Sequence, residues 1–247
     1  MTPWHASSSG GPRMRSSVDV RRNILLVWSM NIRHARLKPW KMGRLVTEWI
    51  FHTPATIAAR KLSLNPRTTK LWYQKIREGI WKQKEDRLFE GVVEIDETYL
   101  VPVDPQKQRF ATKDKIAVFG IYERKTKKIY AEIVVNPTTQ ILLPIIQKHI
   151  APGSTIYSDG FGAYYHLKEL GYTHYRVLHQ HMYSLHPGIH TNHIESFWAY
   201  LQSTLHPKRG ISRNAFHLHV EEAVFRFNNR DPHKLRYIVK KILNLKD

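Results

Sequence analysis

The order of strands and helices after residue 90 restricts the fold of this chain more than any other feature. From residue 91 onward apolar residues alternate as they do in strands, whereas residues 41–84 carry them at helical spacing. Three strand candidates come first, and a charged turn at 124–127 joins the second to the third, which predicts an antiparallel hairpin. A helix, a strand, a short helix and a fifth strand follow, and the remainder is predicted to be helical. This order indicates an α/β domain with a partly antiparallel sheet. The predicted strands are residues 92–100, 116–122, 129–135, 155–157 and 174–178, and the predicted helices are residues 138–150, 163–170, 192–205, 213–228 and 233–245.

Three acidic residues take positions that such a sheet would bring together. Asp96 lies within a Val- and Ile-rich strand, Asp159 ends the fourth strand, and Glu195 lies early in a helix. A charged residue inside such a strand is uncommon. Asp159 taken alone is typical of a turn before glycine, and Glu195 taken alone is typical of the first turn of a helix. An Asp on a central strand, an Asp ending the neighbouring strand and a Glu on a helix that crosses the sheet together predict one acidic site.

Such a trio of carboxylates suits metal-dependent phosphoryl transfer. Two divalent ions about 4 Å apart can hold the attacking and leaving oxygens of an in-line displacement at phosphorus. Mg²⁺ prefers oxygen ligands, so a few converging carboxylates suffice to hold it. We therefore predict that Asp96, Asp159 and Glu195 bind two Mg²⁺ (or Mn²⁺) ions. The sequence contains no Cys, which excludes a thiol nucleophile and any Cys-ligated metal site.

The net charge of +19 indicates an anionic partner, most simply nucleic acid, and the charge is unevenly distributed. Residues 1–90 hold 18 Lys and Arg against 6 Asp and Glu, so this third of the chain carries most of the net charge. Residues 1–17 are predicted to be a disordered tail, and residues 18–84 a helical region with a helix-turn-helix that binds DNA. An ordinary helical hairpin with a solvated basic face is the alternative. The predicted DNA contacts are Arg67, Thr68, Thr69 and Lys70 at the start of the second helix of the motif, and the later basic pair Lys208 and Arg209.

Three segments resemble the motifs of insertion-sequence DDE transposases, in the group whose eukaryotic relatives are called Merlin elements. They are residues 93–99 around Asp96, residues 156–160 around Asp159 and residues 192–198 around Glu195. The resemblance covers roughly residues 45–230, and softer matches lie at 118–120, 143–146 and 225–228. With the order of elements, it implies an RNase H-like fold: a mixed five-stranded sheet with flanking helices, preceded by a small all-α helix-turn-helix domain. The implied catalytic domain is 91–231, followed by a C-terminal helix at 232–247.

The resemblance also implies an activity, a set of residues and partners. Asp96, Asp159 and Glu195 would be the catalytic and metal-binding triad, with Asn192 as an accompanying residue of the third motif. The enzyme would cut the ends of a mobile DNA element and join the 3′-hydroxyl groups to target DNA. Its partners would be double-stranded DNA, as terminal inverted repeats and as target, and at least one further copy of itself. A domesticated or inactive transposase that only binds DNA is one alternative, and an RNase H-like nuclease or resolvase is another.

Two departures from the resembling group are visible in the sequence. Many relatives carry an N-terminal zinc ribbon built on Cys, which this sequence cannot form because it has no Cys. In relatives a Gly- and Lys/Arg-rich segment follows the first motif, whereas residues 100–109 contain no Gly. No segment reaches the roughly 20 apolar residues of a membrane span, and we expect an intracellular, DNA-associated protein.

Other titratable residues flank the three motifs. Strand alternation places Glu94 on the face of Asp96 and Glu97 on the opposite face. Ten of the 15 His residues lie between residues 166 and 219. Their irregular spacing favours contacts with DNA phosphates or plain surface exposure over a zinc site. His190 and His193 are the two with most bearing on the site, because they flank Asn192 and precede Glu195.

Overall fold

The computed structural model describes residues 37–101, 115–159, 162–177, 190–206, 208 and 211–245. The chain divides into two compact units, residues 1–42 and 43–247. The first helix, α1, spans Pro39–Ile50. Two further helices follow, α2 at Ala55–Leu62 and α3 at Pro66–Lys82. Among the described residues, no helix combines the length and the apolar character needed to cross a bilayer.

The connection between α2 and α3 is a three-residue turn that the sequence predicts. Ser63 adopts a left-handed conformation with φ of 49°, which ends α2. Asn65 accepts a hydrogen bond from the backbone N–H of Arg67 at 2.8 Å, and Pro66 is the first residue of α3. This confirms the predicted helix start at Asn65-Pro66.

The corresponding prediction at Thr53-Pro54 is wrong in its detail. The sequence predicts a Thr53 cap followed by Pro54 as the first helical residue. Instead α2 begins at Ala55, Pro54 takes the capping position, and no side chain caps the helix. The Thr53 side chain hydrogen-bonds with Glu48 on α1 and is therefore not available to the α2 backbone.

The sheet has five strands in the order β3-β2-β1-β4-β5. The first three strands form an antiparallel meander, and β4 and β5 extend the sheet from β1 in parallel. This confirms the predicted RNase H-like fold, a mixed five-stranded sheet with an antiparallel section. The strands are β1 at Val92–Leu100, β2 at Ile116–Glu123, β3 at Lys128–Val134, β4 at Thr155–Ser158 and β5 at Thr173–Arg176.

Helices cover both faces of this sheet. On one face Phe119 and Ile121 pack with Leu142 and Ile146 of the helix at Thr139–His149. On the other face Val118 belongs to a cluster with α5 and α6. Every residue of β2 is buried as a result, which explains its nearly continuous apolar sequence. The helices are α4 at Thr139–His149, α5 at Asn192–Leu205, α6 at Phe216–Asn228 and α7 at Pro232–Ile242, with short 3₁₀ turns at Gly162–Leu167 and Arg213–Ala215.

The helices before the sheet pack against α6 through a buried ionic cluster. Glu222 accepts hydrogen bonds from Arg77 of α3 at 2.5 Å and from Arg226 at 3.0 Å. Arg226 also donates to the backbone carbonyls of Trp49 and Ile50 at the end of α1. Helices α1 and α3, which precede segment 84–91, therefore contact α6, which follows it. The domain boundary at that segment stays a prediction.

Candidate active site

Three carboxylates converge where β1 passes the end of β4. Asp96, Glu97 and Asp159 each offer an oxygen atom, and these atoms lie within 4.8 Å of one another. The sequence predicts the meeting of Asp96 and Asp159, since β1 and β4 are parallel neighbours. Glu97 joins them, although its position in the sequence did not mark it as a candidate site residue.

The short length of β4 explains why Glu97 can join the cluster. β4 pairs with β1 only through Val92, Val93 and Glu94, so the next part of β1 has no β4 neighbour. Asp159 follows directly after β4 and comes close to both Asp96 and Glu97. Consecutive residues point to opposite faces of a strand, but both can reach a group that lies beside the strand. Glu97 therefore joins the cluster although, as alternation predicts, it lies on the other face of β1, where it accepts a hydrogen bond from Tyr164.

Glu195 lies near this cluster on the first turns of α5. Its negative charge contributes to raising the pKa of Asp96, although the carboxylates with oxygen atoms within 4.8 Å of one another are Asp96, Glu97 and Asp159. The Thr191 hydroxyl donates a hydrogen bond to Oε1 of Glu195 at 3.0 Å. Asn192 is the first residue of α5 and is exposed. The third motif thus approaches the two aspartates from the helix that packs on β1 and β2.

Burial raises the pKa values of two carboxyl groups in the cluster. The pKa of Asp96 is raised to about 6, chiefly by burial and further by the charges of Asp159 and Glu195. The pKa of Glu97 is raised to about 8, again chiefly by burial, although a hydrogen bond from the Tyr164 hydroxyl opposes the shift. Like charges held close together in a partly buried site favour either protons or a bound cation.

The donor set fits a divalent ion of the Mg²⁺ or Mn²⁺ type. Carboxylate oxygens are the ligands that these hard cations prefer. The half-buried positions of Asp96, Glu97 and Asp159 leave the cluster open on one side. A bound cation would favour the ionised form of Asp96, whose pKa is raised chiefly by burial and further by the neighbouring charges.

The Asp96 side chain is oriented by an indole and by a glycine on the neighbouring strand. Nε1 of Trp198 on α5 donates a hydrogen bond to Oδ2 of Asp96 at 2.8 Å. Gly120 lies directly opposite Asp96 in the β1–β2 register. A Cβ atom at Gly120 would lie 2.7 Å from Cη2 of Trp198 and 3.2 Å from Cδ1 of Ile194. Glycine is therefore required for α5 to pack as closely on the sheet as it does.

The predicted DNA contacts on α3 differ in exposure. Arg67 and Lys70 are exposed and Thr68 is half-buried. Thr69 is fully buried, and its hydroxyl points to the backbone carbonyl of Asn65 at 3.5 Å. Its side chain belongs to the packed side of α3 and cannot contact DNA in this conformation. The prediction for Thr69 is therefore corrected.

The second group of predicted DNA contacts is only partly described. Nζ of Lys208 lies 3.4 Å from Oε2 of Glu222, which places it at the rim of the ionic cluster between α3 and α6. Burial lowers the pKa of Lys208, and the charge of Glu222 opposes this effect. Lys208 is thus engaged in an ion pair within the protein. Arg209 lies outside the described residues.

Two sequence comparisons identify relatives of this chain. Residues 89–228 match the family described as ISXO2-like transposase domain. An uncharacterized transposase-like protein of Haemophilus influenzae is 34% identical over 105 residues, which is 42% of this chain and 84% of that protein.

Three solved structures similar to this one are an intasome and two integrase catalytic core domains. The chain of a simian T-cell lymphotropic virus intasome is 12% identical with a TM-score of 0.39, over 62% of this chain and 56% of that chain. The catalytic core domain of BIV integrase is 13% identical with a TM-score of 0.40, over 62% of this chain and 97% of that chain. The catalytic core domain of HTLV-2 integrase is 9% identical with a TM-score of 0.37, over 62% of this chain and 99% of the integrase chain.

The family match covers more than half of the chain and includes the converging carboxylates Asp96, Glu97 and Asp159, as well as α5 with Glu195. The curated relative agrees with it. This chain belongs to the ISXO2-like transposase family.

Proposed function

We propose that this protein is a DDE transposase that cuts the ends of a mobile DNA element and joins their 3′-hydroxyl groups to target DNA. The observation that carries the proposal is the convergence of Asp96 and Asp159, together with Glu97, in a chain of this family. Glu195 supports it further, because its charge acts on Asp96.

Asp96, Glu97 and Asp159 would hold one divalent ion, and Glu195 with Asp96 would complete the ligands of a second. Bound ions of this kind activate an attacking oxygen and neutralise the charge that develops on a leaving oxygen. Trp198 orients Asp96 and Thr191 orients Glu195 through the hydrogen bonds described above. Asp96 and Glu97, whose pKa values are raised, would release protons when the ions bind.

We also propose double-stranded DNA as the partner, both as terminal inverted repeats and as target. Arg67 and Lys70, exposed at the start of α3, would contact the repeats together with Thr68. Two DNA ends must be brought together before joining, so the active assembly would contain at least two copies of the chain. The alternative is a domesticated protein that binds DNA without cutting it, and such a protein would not need the acidic cluster.

The test is cleavage of a DNA duplex that carries the inverted repeat flanking the gene. Asp96→Asn removes a charge but keeps the shape of the side chain. We expect Mg²⁺-dependent cleavage to fall more than about a hundredfold, because a direct ligand is lost, with DNA binding unchanged. The control is Glu169→Gln, which neutralises an exposed carboxylate paired with His166. Cleavage by Asp96→Asn at the rate of the control would refute the proposal, and binding without cleavage by the unaltered protein would favour the alternative.

A further inference from the structure

Glu94 lies two residues before Asp96 on β1, and its carboxylate is fully buried. Nε of Arg124 donates to Oε1 at 2.7 Å, and Nδ1 of His193 lies 2.7 Å from the same oxygen. The backbone N–H groups of His193 and Ile194 donate to Oε2 at 3.0 and 3.1 Å. A buried carboxylate needs such partners, and here most of them come from one helix terminus.

Those contacts make Glu94 the cap of α5, although it lies about a hundred residues away in sequence. Thr191 takes the N-terminal capping position, but its side chain caps no backbone N–H group. Its hydroxyl is directed to Glu195 instead. The first N–H groups of a helix need acceptors, and a negative charge at this end also interacts favourably with the helix dipole. From the neighbouring strand, Glu94 supplies both the acceptor oxygens and the negative charge.

The same contacts connect the two elements that carry the catalytic carboxylates. Glu94 is on β1 with Asp96, and it holds His193 and Ile194, which immediately precede Glu195 on α5. The distance between Asp96 and Glu195 therefore depends on where Glu94 holds the start of α5. Trp198 makes the second connection between these elements, one helical turn further along α5.

A metal ion at Glu94 is the competing interpretation, because Glu94, His190 and His193 have donor atoms within 4.8 Å of one another. Arg124 argues against it. Its guanidinium group donates to Glu94 and to the backbone carbonyl of His190 at 2.5 Å, so it already supplies the positive charge at this position. The oxygens of Glu94 accept from a guanidinium group and from two backbone N–H groups, all of which an ion would have to displace.

We propose that Glu94 is a positioning residue that caps α5 and sets the separation of Asp96 and Glu195 required for metal-dependent catalysis. This inference rests on the proposed function, since it concerns the same site. Glu94 contacts neither DNA nor a catalytic ion; it acts through α5.

The experiment compares Glu94→Gln with a matched control, Glu123→Gln. Glu123 is also a buried strand carboxylate; it accepts from Arg87 at 2.9 Å and from the backbone of Glu90 at 2.9 Å, and it lies beside Val93 in the β1–β2 register. Within the described part of the chain, its hydrogen bonds involve no residue of α5. In Glu94→Gln the amide N–H group would oppose either the backbone N–H donors of α5 or Arg124, which weakens the cap. Both variants lose a buried ion pair, so their thermal stabilities should fall comparably.

The readouts are Mn²⁺ affinity by calorimetry without DNA, and the rate and DNA affinity of cleavage. For Glu94→Gln we expect about a tenfold to hundredfold loss of Mn²⁺ affinity and of cleavage rate, as for other residues that support metal ligands. DNA affinity and the number of bound ions should stay unchanged, and Glu123→Gln should behave as the unaltered protein in all these readouts. Glu94→Asp keeps the charge and should recover part of the loss.

Equal metal affinity and cleavage rate in the two Gln variants would overturn the inference. A bound ion lost from the stoichiometry of Glu94→Gln would also overturn it, because Glu94 would then be a ligand. If Glu94→Gln fails to fold, judged by circular dichroism, the comparison is made with Glu94→Asp, which should then show the weakened Mn²⁺ binding. The proposed function is tested by a different result: it fails if Asp96→Asn still cleaves DNA. In that case the measurement of Mn²⁺ affinity still tests the role of Glu94.

Discussion

The indole of Trp198 connects the third motif directly to Asp96 of the first motif, beside the separate connection made by Glu94. Its N–H donates to Asp96, and this hydrogen bond favours the ionised carboxylate against the effect of burial. A hydrogen bond to a charged group contributes about 1.5–3 kcal/mol. Trp198 is therefore more than a packing residue of α5, although the sequence shows it only as one of several apolar residues at helical spacing within 192–205.

Trp198→Phe should weaken metal binding while keeping most of the aromatic packing. Without the N–H donor the pKa of Asp96 should rise further above its ordinary value, so more protons must be displaced by the metal at neutral pH. We expect Mn²⁺ affinity at pH 7 to fall about tenfold, measured by calorimetry.

The control for this variant is Trp49→Phe. Trp49 is buried to a similar degree, and its indole N–H has no hydrogen-bond partner among the described residues. Loss of Mn²⁺ affinity in both variants alike would mean that stability, and not the hydrogen bond to Asp96, determines metal binding.

At the scale of elements, the position of α5 against β1 and β2 decides the geometry of the site. Besides the apolar packing of its buried side, three contacts position it: the Glu94 cap, the Trp198 hydrogen bond and the close approach over Gly120. The first two are hydrogen bonds to carboxylates of β1. The third is possible because Gly120 on β2 has no side chain.

Gly120→Ala should separate α5 from the sheet. The added methyl group would overlap the Trp198 ring, and overpacking of this kind costs about 1–3 kcal/mol. We expect a lower denaturation midpoint together with slower cleavage, because Trp198 must move away from Asp96. Urea denaturation and the cleavage assay measure the two effects.

Gly43→Ala serves as the comparison for that substitution. Gly43 lies within α1, and a Cβ atom there would meet nothing within 4 Å. Alanine is the better helix former, so this variant should gain about 0.5–1 kcal/mol of stability and cleave DNA normally. Wild-type stability and activity in Gly120→Ala would show that α5 tolerates a larger separation than we infer.

At the scale of the whole molecule, the ionic cluster around Glu222 joins the helices before the sheet to helix α6, which packs on the sheet. Burial acts to raise the pKa of Glu222, but Arg77, Lys208 and Arg226 together hold it well below its ordinary value. His219 lies beside this cluster, and its pKa is lowered to about 3, chiefly by burial and further by Arg77 and Lys208.

The stability of the fold should consequently decrease in mild acid. An unfolded His219 takes up a proton as the pH falls below about 6.5, whereas the folded one stays neutral down to about 3, so unfolding is favoured throughout that window. Between pH 7 and pH 5 this residue alone should remove about 1–2 kcal/mol. His219→Gln should lose correspondingly less over the same interval, measured by urea denaturation at both values.

Four charged or titratable groups face His219. Arg77 and Lys208 repel the protonated ring, Glu222 attracts it, and His217 adds a weaker repulsion. An identical pH dependence in His219→Gln and the unaltered protein would mean that the charge of Glu222 outweighs burial and that His219 is protonated in the folded state.

Local patterns predict the elements of this protein well because they are set by the pleat of a strand and the turn of a helix. Asp96 and Asp159 could be paired in advance, since β1 and β4 are neighbours in the predicted order. The turn at Asn65-Pro66 could be located too, because its capping chemistry involves only adjacent residues.

The features decided by the tertiary structure depend on which surfaces meet across long stretches of sequence. Glu97 enters the acidic cluster because β4 is short, and Glu94 becomes a helix cap because α5 begins beside β1. Thr69 is buried because that side of α3 packs inside the protein. By itself the amino-acid sequence determined the strands, the helices and the two aspartates that meet; the packing of α5 and α3 decided which further side chains surround them, since contacts between distant segments leave no local pattern.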